Sequence, residues 1–146
     1  VETIGGTPIA TAKAEVKASD VQFVTADDPF LHLPFDDNSF DAVVSTYAFH
    51  HVAHNLQPKA VREMMRVLRP GGTLALGDVA FRDAAAEAEA RTQFDWLDDE
   101  FYLHVDELTA AVATIGASLE AKQMTRTTWV LWAVKPQATR HGGGGE

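Results

Sequence analysis

The order of strand, helix and stop signals between residues 33 and 79 constrains this chain more than any other feature. Leu33-Pro34-Phe35-Asp36-Asp37-Asn38-Ser39 is turn-rich loop, and the apolar, β-branched run Phe40–Thr46 reads as a buried strand. Pro58 suits the first position of a helix that carries Val61, Met64, Met65 and Leu68 on one face. Arg62, Glu63 and Arg66 fall outside that apolar stripe. Pro70-Gly71-Gly72 then forms a sharp stop, and residues 73–79 are the next buried strand. Buried strands joined through a helix are the signature of a parallel sheet.

The flanks extend this alternation. Val1-Glu2-Thr3-Ile4 is a short strand closed by Gly5-Gly6, and Thr7 and Pro8 open a helix that runs to residues 16–18. Val21-Gln22-Phe23-Val24 alternates as a strand does and ends at Asp27-Asp28. Downstream, Asp83 caps an Ala/Glu-rich helix in which Glu87 and Arg91 form an i,i+4 pair. A helix built on Val105, Leu108, Val112 and Ile115 stops at Gly116 in a left-handed cap. Residues 118–124 and 128–134 form a β-hairpin around Thr125-Arg126, in which Trp129 and Trp132 point to opposite faces. The expected fold is α/β, a mostly parallel sheet with a C-terminal antiparallel hairpin. Residues 1–136 form the domain, and residues 137–146, with His141 and four glycines, a flexible tail.

A net charge of −9 repels polyanions, and no basic run offsets it, so nucleic acid is excluded as a partner. The chain has no cysteine, which rules out disulfides and thiolate chemistry and is compatible with a cytoplasmic setting. No apolar run reaches membrane-spanning length, and the start lacks the pattern of a secretory leader, so no membrane partner is expected.

The loop-to-strand pattern "LPF…SFD" followed by "LRPGG" resembles the small-molecule, type 11 branch of the class I S-adenosylmethionine-dependent methyltransferases. The resemblance runs from about Val21 to Val134 and includes the terminal hairpin. It implies a Rossmann-like sheet, S-adenosylmethionine as cofactor and a small-molecule methyl acceptor. By the same resemblance, Asp27 or Asp28 accepts from the adenine amino group and Leu33 lies against the adenine. Ser45, Thr46 and Tyr47 meet the methionine part, while Gly5 and Gly6 stand in a shortened Gly-rich loop. In open α/β sheets such ligands sit beyond the carboxyl ends of the strands.

His50 and His51 leave the strand on the acceptor side, and a neutral imidazole there could take a proton from the acceptor. His50, His51 and His54 invite a metal reading as well. They lack an H-E-x-x-H arrangement, and no other ligand cluster is evident in the sequence, so no metal is expected. Trp96, Phe101 and Tyr102 are either the wall of an acceptor pocket or core.

The region before Val21 departs from the family pattern, because it has room for only one strand and one helix. In one alignment Ile4-Gly5-Gly6-Thr7 is the shortened Gly-rich loop, and the strand at Val21 lies beside Val1–Ile4. In the other, Val1–Ile4 ends the family's second strand and the Gly-rich strand is not among these residues. The strand at residues 42–45 then has an open edge, and a homodimer through that edge follows. The leading function is methyl transfer to a small molecule. The alternative is an abbreviated relative without activity that serves as a binding or oligomerisation module.

Overall fold

A computed structural model describes residues 2–5 and 21–137. The helix expected after Pro8 and the tail from residue 138 lie outside the described residues, as does Gly6. Strands β1 (Glu2–Gly5) and β2 (Gln22–Thr25) pair in parallel, with Glu2 opposite Gln22 and Gly5 opposite Thr25. The neighbouring of these two strands is as expected. Gly5, however, sits in the ladder rather than in a loop.

The larger sheet comprises β3 (Phe40–Thr46), β4 (Leu68–Phe81), β5 (Leu103–His104), β6 (Leu119–Gln123) and β7 (Thr128–Val134). Its spatial order is β3-β4-β7-β6, and β5 pairs with the carboxyl end of β4. β3 and β5 run parallel to β4, whereas β7 is antiparallel to both β4 and β6. The mostly parallel sheet and its terminal hairpin therefore stand as the sequence indicates. β1 does not pair with β3, and no described strand occupies the outer edge of β3. That open edge is the arrangement expected when the Gly-rich strand is not among these residues.

Helices α1 (Gln57–Val67), α2 (Ala84–Gln93) and α3 (Val105–Ala113), with short 3-10 turns at Phe49–His51 and His54–Leu56, complete the described elements. α1 has Pro58 in its first turn and buries Ala60, Val61, Met64, Met65 and Val67, the face its periodicity marks. The Asp83 side chain accepts from the Ala86 N–H at 2.9 Å and so caps α2. Beyond α3, Gly116 has φ +81°. Its N–H bonds to the Ala113 carbonyl at 3.0 Å, and that of Ala117 bonds to Val112 at 3.0 Å, which is a Schellman closure.

Two expectations need correction. The helix already ends at Val67, so Leu68 belongs to β4 rather than to the helix face, and Pro70-Gly71-Gly72 neither stops the helix nor precedes the strand but lies inside β4. Phe40 pairs with Leu68 and Ala42 with Thr73, so the intervening residues of β4 bulge out. Gly71 takes φ +85°, and a Cβ on Gly72 would stand 2.8 Å from the Asp41 carbonyl oxygen. Secondly, β3 is not buried on both faces. Val43 and Ser45 are half-buried, while Val44 is 67% exposed.

β4 organises the core by alternation. Leu74, Leu76 and Ala80 join Met64, Met65, Leu103, Leu108, Val112 and Leu131 in the main cluster. Phe81 packs with Leu97 and Tyr102 in a smaller one supported by Ala86 and Ala90 of α2. Among the described residues no helix is long and apolar enough to cross a membrane.

Candidate functional site

The loop before β3 and the helix after it are locked together by charge. The Glu63 Oε2 accepts from the Leu33 N–H at 2.8 Å, and Arg66 bonds Glu63 at 2.7 Å, Asp37 at 2.7 Å and the Leu33 carbonyl at 3.1 Å. Arg66 holds the Glu63 carboxyl below the usual carboxylate range, and the Leu33 N–H adds to that effect. Asn38, at φ 58°, and Ser39 donate their N–H groups to the carbonyls of Arg66 and Val67. The Lys135 ammonium reaches the Arg66 and Leu68 carbonyls at 3.1 and 2.8 Å and so closes the end of α1. The two motifs are therefore one structural unit, and it aims β3 at the site.

Beyond the carboxyl end of β3 the chain turns sharply. Tyr47 adopts φ 51° and donates its N–H to the Gly77 carbonyl at 2.8 Å, leaving the residue 60% exposed. The next turn, Phe49–His51, buries Phe49 and brings His50 to Asp78 on β4. Asp78 is 1% exposed. One of its oxygens lies 2.7 Å from His50 Nδ1 and accepts from the Val79 N–H at 2.7 Å; the other accepts from the His50 N–H at 3.2 Å. A carboxylate only accepts, so Nδ1 carries a proton, and in the neutral ring Nε2 has the lone pair. The His50 side chain is 16% exposed.

His51 is 61% exposed and pairs with Glu100 at 3.2 Å. Tyr102 is buried, its ring centroid 6.3 Å from that of His50, and its hydroxyl donates to Asp98 at 2.7 Å. Burial first, and then that bond to Asp98, raises the Tyr102 pKa, while Tyr102 lowers that of Asp98. Phe101 and Trp96 are exposed. The aromatic segment thus divides: Tyr102 is core at the rim of the site, whereas Trp96 and Phe101 face outward.

The remaining sequence-derived residues fall into place unevenly. Ser45 and Thr46 end β3 opposite Leu76 and Gly77. Asp27 is exposed beyond the end of β2. Asp28 instead caps its own turn, accepting from the N–H groups of Leu31 at 3.0 Å and Phe30 at 3.4 Å. Leu33 packs against the main core with its N–H and carbonyl both engaged. The exposed Tyr47 ring suits contact with a positively charged group.

Sequence reasoning missed Asp78, although a signal existed. The alternation Leu74, Leu76, Asp78, Ala80 puts a carboxylate on the core face, and a buried carboxylate requires partners. It also treated His50, His51 and His54 as one group. The structure separates them, setting His50 and His51 beside Glu100 and His54 beside His104 and Glu107. Burial chiefly, and His104 next, lowers the His54 pKa.

Residues 4–76 match the methyltransferase domain family. The chain is 36% identical over 121 residues to an uncharacterized methyltransferase of Geobacillus kaustophilus, covering 77% of this chain and 56% of that protein. It is 31% identical over 144 residues to an uncharacterized methyltransferase of Anoxybacillus flavithermus, covering 92% and 68%. Among solved structures it is similar to a chain of the complex between the Haloferax volcanii Trm112 methyltransferase activator and a protein described as a methyltransferase. That similarity has a TM-score of 0.72 at 23% identity and covers 96% of this chain and 73% of the other. The chain thus spans little more than half the length of the Geobacillus protein.

Proposed function

The chain belongs to the methyltransferase domain family of class I, S-adenosylmethionine-dependent enzymes, and from that premise we propose that it methylates a small molecule whose proton is taken by His50. The observation that carries this reading is the His50–Asp78 pair, 2.7 Å apart, which joins the turn beyond the carboxyl end of β3 to the neighbouring parallel strand β4.

Bound at those strand ends, S-adenosylmethionine supplies a methyl group already activated on its sulfonium, which leaves the protein chiefly with positioning and proton removal. Asp27 is the carboxylate available to the nucleoside, because Asp28 is engaged with its own turn. Ser45 and the exposed Tyr47 serve the methionine part. His50 Nε2 accepts a proton from a hydroxyl or amine acceptor, and Asp78 stabilises the imidazolium that results. His51 is too exposed to be held for that task and instead flanks the entrance with Glu100.

The test is calorimetric titration with S-adenosylhomocysteine, followed by transfer of labelled methyl groups to a panel of phenolic and amine acceptors. Binding is expected, weakened in Asp27→Ala. His50→Gln and Asp78→Asn should keep cofactor affinity and lower the turnover number by about 10²–10⁴-fold. A folded chain that binds neither cofactor form overturns the reading.

The open outer edge of β3, with Val44 exposed beside it, favours a second reading as an association module. Unpaired strand edges pair readily with a second copy of the same chain.

A further inference from the structure

Away from the His50–Asp78 pair, His54, His104 and Glu107 converge from a loop, a strand and a helix. His54 opens the turn before α1, His104 ends β5, and Glu107 lies in the first turn of α3. The two imidazole rings stack with centroids 4.6 Å apart and planes 25° apart. Each ring has a buried Nδ1 with no hydrogen-bond partner, and the His104 side chain is only 8% exposed. Leaving two such nitrogens desolvated and unpaired in one place is unfavourable unless something else satisfies them.

The protonation pattern points to what that is. His104 Nε2 lies 3.0 Å from the Glu87 carboxylate, which Arg91 in turn holds at 2.9 Å. Because a carboxylate only accepts, Nε2 carries the proton and Nδ1 presents a lone pair. A histidine that donates one ring N–H to a carboxylate while offering the other nitrogen is the usual arrangement of a metal-bound imidazole. The Glu107 Oε1 stands 3.7 Å from His104 Nδ1, too far for a hydrogen bond. It is close to the separation of about 3.3 Å between two ligand atoms on one tetrahedral zinc ion. One ligand atom from each of the three residues lies within 4.8 Å of the others.

We propose that His54 Nδ1, His104 Nδ1 and a Glu107 carboxylate oxygen form a binding site for a transition-metal dication of the zinc class. Two imidazoles and one carboxylate suit such an ion, and neither calcium nor magnesium favours nitrogen ligands. Three protein ligands leave a fourth position open. His54 and Glu107 both line a groove of about 610 Å³ with Asn55, Pro58, Arg62 and Thr114. The second histidine group is poorer: His50 Nδ1 is engaged by Asp78, and His51 is exposed. The proposal is independent of methyl transfer and stands or falls separately.

The experiment is titration of the full chain with Zn²⁺ against a chromophoric chelator, repeated with Co²⁺ to read coordination from its visible absorption. One equivalent should bind, with a tetrahedral Co²⁺ band. His54→Ala and Glu107→Gln should each weaken binding by about tenfold or more, and Glu87→Gln by about 10–100-fold. His51→Ala and Glu100→Gln should leave affinity unchanged. Circular dichroism verifies folding, and Glu107→Gln, at a half-exposed carboxylate, keeps the test decisive if a histidine variant unfolds. A folded chain that binds no metal at millimolar Zn²⁺ overturns the proposal. So does affinity that survives Glu107→Gln, or that is lost in His51→Ala or Glu100→Gln instead.

Discussion

At the scale of single residues, the carboxylates on this molecule have different tasks set by what surrounds them. Asp78 orients an imidazole, Asp28 holds a turn, and Glu63 fastens a loop to a helix. Only Glu63 combines a strong ion pair with a pKa held low by Arg66, so it marks a pH dependence. Its carboxylate contributes stability fully above the ordinary value of about 4.3. That contribution is lost as pH falls through the lower value of the folded state. Glu63→Gln should cost about 1–3 kcal/mol near neutrality, because Leu33 and Arg66 lose a charged partner. The deficit should shrink in urea unfolding at about pH 4 and below. A deficit that does not change with pH would mean that the charge is not what holds the loop.

At the scale of elements, the caps and pairings agree with local chemistry, and this is where the sequence was most legible. Asp83, Gly116 and the Glu87–Arg91 pair, at 2.9 Å, act within one or two helical turns, so spacing alone announces them. The Pro70-Gly71-Gly72 segment shows the limit of such reading. Its sequence marks a break, but the hydrogen-bonding reach of β4 continues through it as a bulge against β3. Gly72 is required there by close approach: an added Cβ would meet the carbonyl oxygens of Asp41 at 2.8 Å and Arg69 at 2.9 Å, both backbone atoms. Gly72→Ala is therefore expected to destabilise by about 1–3 kcal/mol in denaturant unfolding. Gly77→Ala, whose Cβ would stand 3.6 Å from a Thr46 methyl, should cost less. Equal losses at the two positions would refute the crowding argument.

At the scale of the whole molecule, the sheet is asymmetric. The face of β4 that carries Leu74 and Leu76 is sealed by α1 and α3, while among the described residues the outer edge of β3 is unpaired and Val44 is exposed. An edge strand with an apolar residue in solvent invites pairing. Light scattering across a dilution series should show concentration-dependent association, and Val44→Lys should abolish it without lowering thermal stability. A monomer at every concentration would remove the association reading and leave methyl transfer unaffected.

Much of this protein was determined by sequence alone: the alternation of strands and helices, the parallel sheet with its terminal hairpin, the caps, and the family to which the chain belongs. Those features depend on periodicities and turn residues that act over a few positions. The candidate site was legible only in part. His50 stood out by its place after β3, but its partner Asp78 is 28 residues away. His54, His104 and Glu107 carry no common spacing signal, and neither do Leu33, Asp37, Glu63 and Arg66. Tertiary structure decided which of these groups meet, because hydrogen bonding and charge pairing depend on distance in space. It also decided that β3 is half exposed, since burial depends on what packs against a strand and not on the apolarity of its own residues.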